Sequence, residues 1–146
     1  MEKVERHVND AIQQGAVALT GGSRINRPGS FFEPTVLTNV PITARLTKEE
    51  TFGPLAALIK FETEEEVIKW ANDTDSGLGG YLFANNLGRV WRVAEALEVG
   101  VVGVNGTAIA LVETPFGGIK ESGIGREGSH GIDEYLNTKL IAISGL

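Results

Sequence analysis

Hydrophobic positions recur with a helical period at the start of the chain. Val4, Val8, Ala11 and Ile12 fall at i, i+4, i+7 and i+8, one stripe of a helix that should end at Gly15. His7 is expected on the solvated side of that helix. Residues 16–20 form a short apolar run closed by Gly21 and Gly22, the pattern of a strand. Residues 24–30, with Pro28-Gly29 inside them, read as a loop, and residues 31–40 hold β-formers around Pro34, as a broken or edge strand does. Residues 55–61 are apolar apart from Lys60, which predicts a strand buried on both faces.

The next helix announces its own start. Thr63 followed by Glu66 fits a capping box, and Glu64, Glu65 and Glu66 favour the positive end of the helix dipole. Val67, Ile68 and Ala71 are its expected buried face. Residues 73–80 are turn-rich and residues 81–84 read as a strand. Leu87, Val90, Trp91, Ala94 and Leu97 then fall at i, i+3, i+4, i+7 and i+10, an amphipathic helix running up to Gly100. A strand over 101–104, a glycine-rich loop over 115–125, a short final helix centred on 132–136 and a last strand over 140–143 complete the pattern. Alternating strands and helices predict an α/β fold, an open, largely parallel sheet flanked by helices. There is no internal repeat, low-complexity tract or linker, so residues 1–146 read as one domain.

Composition narrows the function. A length of 146 residues suits one domain and is short for two. With 42% hydrophobic and 22% charged residues, the chain matches globular proteins and not disordered ones. Thirteen basic against nineteen acidic side chains leave a net charge of −6, so a nucleic-acid partner is not expected. The absence of cysteine removes disulfides, cysteine zinc sites and a cysteine nucleophile from these residues. No apolar segment approaches the ~20 residues of a membrane span, and the first fifteen residues lack the apolar run of a signal peptide. A soluble, cytoplasmic protein with no membrane partner is expected.

Several motifs are decoys. Residues 123–128 match GxGxxG by letter, but no hydrophobic strand precedes them and too little chain follows for the ribose-binding acid of a dinucleotide fold. Lys120 follows a glycine pair, yet Glu121 stands where a phosphate loop needs Ser or Thr for magnesium. Ser129 beside His130 lacks a GxSxG elbow. His7 and His130 are the only histidines, neither at ligand spacing, so no metal site is expected. Glu49-Glu50 differs from these. It stands directly before Thr51-Phe52-Gly53-Pro54, at the entrance to a strand. Carboxylates followed by an aromatic suit a polar ligand with a flat ring. A turn held by side-chain hydrogen bonds accounts for the same residues.

Glu49-Glu50-Thr51-Phe52-Gly53-Pro54 resembles the E-E-x-F-G-P motif of the NAD(P)-dependent aldehyde dehydrogenase superfamily. The run from Pro115 to Gly123, P-F-G-G-I-K-E-S-G, resembles that family's P-F-G-G-x-K-x-S-G motif, and Gly125-Arg126-Glu127 continues it. Order and separation also agree, and the likeness spans residues 3–146. Arg126-Glu127-Gly128-Ser129, the stretch from Gly131 to Leu136 and the ending Ser144-Gly145-Leu146 look most like the succinate-semialdehyde branch.

The resemblance implies that the chain is the C-terminal part of a catalytic domain whose whole oxidises an aldehyde with NAD or NADP. It implies that Glu50 accepts hydrogen bonds from the nicotinamide ribose hydroxyls and that Phe52 packs near the nicotinamide. Those roles suit an ionised carboxylate and a flat ring. It further implies that Phe116 lines the substrate entrance, that Gly117 and Gly118 permit a backbone path closed to side chains with a Cβ, and that residues 138–144 form an oligomerisation strand joining a neighbouring subunit's sheet, making a homo-oligomer. The family's nucleophilic cysteine, general-base glutamate, oxyanion asparagine and dinucleotide fold have no counterpart here, so no catalytic residue is expected in the chain and cofactor binding by it should be weak. Where the succinate-semialdehyde branch usually carries a carboxylate-binding serine, this chain reads Ala108-Ile109-Ala110-Leu111, without a hydroxyl. Between Arg126 and Gly131 it is one residue shorter than the family pattern. The rival expectation is a non-catalytic α/β module.

Overall fold

Helix α1 (Glu2–Gln13) forms on the first apolar stripe in a computed structural model that describes residues 1–145. Val4, Val8 and Ala11 are buried, whereas Ile12 is half-exposed. His7 is not on the solvated side: it is only 1% exposed. The reason is geometric, since a residue three positions after Val4 shares its helical face and completes the stripe. The chain resolves into two compact units, one over Met1–Thr74 and one from Asp75 onward.

In the first unit, β1 (Val17–Thr20), β2 (Thr35–Thr38) and β3 (Leu55–Ala57) form a sheet in the order β1-β2-β3. The sheet is mixed, not largely parallel. β1 turns back through the glycine-rich loop after Thr20 and pairs antiparallel with β2, while the longer excursion from β2 to β3 returns the chain parallel. Leu37 on β2 is fully buried among Ala11, Ala16, Val40 and Ala44, and Leu55 packs both on this cluster and on that of Val4, Val8 and Phe32. The strand expected over 55–61 is shorter, and Leu58 and Phe61 are about half exposed. Continuous apolarity identified a strand but not what covers it.

Helix α2 (Glu64–Asn72) starts as the sequence predicts, with the Thr63 hydroxyl accepting from the Glu66 N–H at 3.1 Å. The Glu66 carboxylate reaches one residue further back than a standard box, accepting from the Glu62 N–H at 2.7 Å. Of its expected buried face, Val67 and Ile68 are half-buried and Ala71 is exposed.

In the second unit, β4 (Ser76–Gly77) pairs antiparallel with β7 (Ile119–Lys120). β5 (Gly79–Leu82) pairs parallel with β6 (Val101–Val104), and helix α3 (Leu87–Ala96) makes the crossover between them. Asn86 caps α3 by accepting from the Arg89 N–H at 2.8 Å. The Asn105 amide closes the crossover by bonding both backbone groups of Ala84, at 2.8 and 2.9 Å. Leu87 and Trp91 on α3 are exposed. The final helix is a 3-10 helix over Gly128–Tyr135, and the expected strand over 140–143 forms no ladder among the described residues. The two sheets of this unit are the two-stranded pairs β4-β7 and β5-β6, and residues 140–143 join neither of them. An α/β arrangement with mixed sheets is what the chain forms.

Gly100 sits against Gly117: a Cβ on Gly100 would lie 1.9 Å from the Gly117 carbonyl oxygen. Gly100→Ala is therefore expected to destabilise the second unit by about 1–3 kcal/mol, through overpacking against backbone that cannot swing aside. In the first unit, Leu37→Ala should cost about 2–5 kcal/mol because Leu37 is completely enclosed. Leu19→Ala, at a position 65% exposed, should shift stability by no more than ~0.5 kcal/mol. Urea unfolding followed by circular dichroism measures all three.

Candidate functional site

The acidic motif is delivered to β3 by a loop whose leading edge is tied down. A 3-10 turn over Arg45–Thr47 comes first, its Arg45 N–H donating to the Asp10 carboxylate of α1 at 2.8 Å. Arg45 O in turn accepts from the Lys48 and Glu49 N–H groups at 3.0 and 2.8 Å. The Lys48 ammonium donates to the Asp73 carbonyl at the end of α2, at 3.0 Å, and pairs with the Asp73 carboxylate. At the trailing edge, Pro54 O accepts from the Thr35 N–H of β2 at 2.8 Å.

Between those anchors the side chains alternate. Glu49 and Thr51 turn toward α1. The Thr51 hydroxyl lies 2.6 Å from His7 Nδ1, and a Glu49 carboxylate oxygen lies 3.4 Å from His7 Nε2 and 3.8 Å from the Lys3 ammonium. A carboxylate accepts, so Nε2 is the nitrogen placed to donate to Glu49, while Nδ1 faces the Thr51 hydroxyl. Gly53 then passes so close to α1 that a Cβ would lie 2.5 Å from Val4 Cγ2. This is close approach, not backbone strain, and it explains the glycine at this position of the motif.

Glu50 and Phe52, the predicted site residues, fall on the other side of the alternation. Both are exposed, Phe52 to 87%. Among the described residues no group bonds or ion-pairs with the Glu50 carboxylate. The loop thus offers a carboxylate with both oxygens unengaged and, two residues on, a bare aromatic ring. Of the two readings left open by the sequence, the side-chain bonds that hold the turn are present, through Glu49 and Thr51, and Glu50 and Phe52 are left exposed between and beyond them.

Phe116 belongs to the second unit. It is half-buried, its N–H donating to Glu127 O at 3.2 Å and its carbonyl accepting from the Glu127 N–H at 2.7 Å. Arg126 bonds the Gly118 and Gly125 carbonyls, each at 2.8 Å, so the P-F-G-G loop is built around the arginine that follows it. An open cleft of about 690 Å³ is lined by Phe116, Gly117, Arg126, Glu134 and Tyr135 among others. A second, of about 400 Å³, has a largely aliphatic wall of Val102, Val104, Ala108, Ile109, Leu111 and Pro115. The Thr114 hydroxyl on its border donates to Leu111 O.

His7 and Thr51 are the residues that sequence reasoning passed over. The signal was there for His7: it stands at the vacant i+3 position between Val4 and Val8. Thr51 occupies the variable place of its motif and carries no signal of its own. Among the described residues, no helix is long and apolar enough to cross a membrane.

Comparison with known proteins agrees with the motifs. The family model described as "Aldehyde dehydrogenase family" matches residues 1–141. The whole chain is 53% identical to a probable succinate-semialdehyde dehydrogenase [NADP(+)] of Sinorhizobium fredii, of which it covers 30%. The crystal structure of succinate-semialdehyde dehydrogenase from Burkholderia pseudomallei superposes on 92% of this chain and 28% of that one, with a TM-score of 0.89 and 56% identity. A betaine aldehyde dehydrogenase from Staphylococcus aureus, crystallised in complex with NAD+, superposes on 94% of this chain and 28% of its own, with a TM-score of 0.85 and 42% identity. The chain thus spans less than a third of the length of the relatives it matches. Within that span, the chain belongs to the aldehyde dehydrogenase family.

Proposed function

We propose that this chain is the cofactor-side and entrance-side part of an NAD(P)-dependent aldehyde dehydrogenase. The parent would oxidise an aldehyde, with succinate semialdehyde the first candidate, to its carboxylic acid. Residues 1–146 would form one partial domain of that enzyme, the C-terminal part of its catalytic domain. The observation that carries this reading is the outward pair on the motif loop, Glu50 without a partner among the described residues and Phe52 at 87% exposure.

Those residues fit the nicotinamide end of a dinucleotide. The Glu50 carboxylate can accept from two vicinal ribose hydroxyls at once, a bidentate arrangement that orients as well as binds. Phe52 supplies a flat apolar face at a distance of two residues, suited to restraining a heterocycle. When bound, NAD(P)+ would supply the hydride acceptor. Phe116, which lines the 690 Å³ cleft, would form one wall of the substrate entrance. No group of this chain is assigned to the chemical step, and the sulfur nucleophile the family uses is absent from these 146 residues.

Another aldehyde is the second reading, favoured by one feature. The segment Ala108-Ile109-Ala110-Leu111 presents no hydroxyl, and the nearby Thr114 hydroxyl already donates to backbone. Recognition of a substrate carboxylate would then need a group from elsewhere. Association into a homo-oligomer through residues 138–144 is supported by the exposure of Leu140, Ile141 and Ile143, at 90, 72 and 72%.

Magnitudes set the expectations. Two charge-assisted hydrogen bonds contribute about 1.5–3 kcal/mol each, and an aromatic contact about 1 kcal/mol. Association itself costs at least ~4 kcal/mol. The isolated chain should therefore bind NAD+ or NADP+ in the millimolar range or weaker by calorimetry, and a micromolar affinity would contradict the assignment. It should also produce no NADH or NADPH from an aldehyde. In the intact enzyme, Glu50→Gln should weaken cofactor binding about ten- to a hundredfold, the loss of one charge-assisted pair. An unchanged cofactor Kd in fluorescence titration would remove Glu50 from the site.

A further inference from the structure

We propose that His7 is a positioning residue for the cofactor contact, holding the motif loop through Thr51 and Glu49 so that Glu50 and Phe52 face outward; this rests on the cofactor reading above. Three observations converge on it. His7 lies on the core stripe of α1 at 1% exposure, where an aliphatic side chain would pack without any need for hydrogen bonds. A buried imidazole is costly unless its nitrogens are satisfied. Here both are, and both partners come from the same motif: Thr51 at 2.6 Å and Glu49 at 3.4 Å.

The two partners bracket Glu50 in sequence. One ring therefore fixes the residue before and the residue after the carboxylate, and Glu50 is left exposed between its two anchored neighbours. Gly53 against Val4 fixes the same loop to the same helix one step further on. The other histidine offers a contrast: His130 pairs at 3.0 Å with Asp133 on an exposed surface, within its own 3-10 helix, and organises nothing beyond it. Bidentate recognition of a diol is demanding, because misplacement of ~1 Å can cost on the order of a hundredfold. An aliphatic residue at position 7 would preserve the helix and release the loop.

The test uses the intact enzyme that carries this segment, with His7→Leu, His7→Gln, Thr51→Val, the double variant His7→Leu/Thr51→Val, and Glu50→Gln. NADH and NADPH are titrated by nicotinamide fluorescence without aldehyde, alongside urea midpoints and steady-state kinetics. His7→Leu and Thr51→Val should each raise the dinucleotide Kd about tenfold, and the double variant should be no worse than His7→Leu, which already removes the Thr51 bond together with the Glu49 one. KM for the cofactor should rise with it, with kcat and the aldehyde KM changed by less than about threefold. His7→Gln, which keeps a polar partner for Thr51, should recover most of the affinity. If His7→Leu does not fold, Thr51→Val carries the test, since it deletes only a hydroxyl at a half-buried position. Unchanged affinity in Thr51→Val, or losses that add in the double variant, overturn the proposal. Should Glu50→Gln lose affinity while Thr51→Val keeps it, the His7 inference alone falls. Should Glu50→Gln keep it, the cofactor reading falls and takes this inference with it.

Discussion

Helix α1 and the loop at residues 45–54 are locked together by contacts of different kinds, and the shape of the first unit's site follows from that lock. Asp10 caps the turn that opens the loop, His7 bonds the residues on either side of Glu50, and Val4 occupies the space that a Cβ on Gly53 would need. The same helix buries Val4, Val8 and Ala11 in the core below. One amphipathic element thus contributes its apolar atoms to stability and its polar atoms to loop geometry. A loop built this way can present two exposed side chains in a fixed orientation, which functional loops need from a rigid scaffold.

The sequence pattern was readable in proportion to how local its causes are. The cap at Thr63, the start of α3 at Leu87 and the helical stripe of α1 depend on residues within one or two turns, and they stand where the pattern places them. Pairings between distant segments were less legible. The two-residue strands β4 and β7 meet across more than forty positions, a length too short to leave an alternation signal. Alternating elements predict crossovers throughout and hence a largely parallel sheet, whereas β1 and β2 pair antiparallel through a loop.

Burial was the hardest property to read. Apolar periodicity states which face of a helix or strand is apolar, not what lies against it. Hence Leu58, Leu87, Trp91, Leu140, Ile141 and Ile143 are exposed in this chain although their pattern marks them for contact. His7 shows the converse error. Residue type alone places this histidine in solvent, whereas its position on the stripe requires it to be inside. Position outweighed chemistry there, and only the long-range partners at Glu49 and Thr51 made the chemistry tolerable.

The contrast among the phenylalanines separates scaffold from site. Phe32, at 7% exposure, packs with Val4 and Val8 and contributes about 1.5–3 kcal/mol by leaving water. Phe52 forgoes that gain almost entirely at 87% exposure, although it is only three residues from Leu55, which reaches both core clusters. The loop is not free to fold the ring inward, because Thr51 and Gly53 on either side of it are both committed to α1. An exposed ring held out by its neighbours, beside a carboxylate left without a partner, serves no purpose in the folding of this unit. On the cofactor reading proposed above, a flat heterocycle attached to a sugar with a vicinal diol would satisfy ring and carboxylate together.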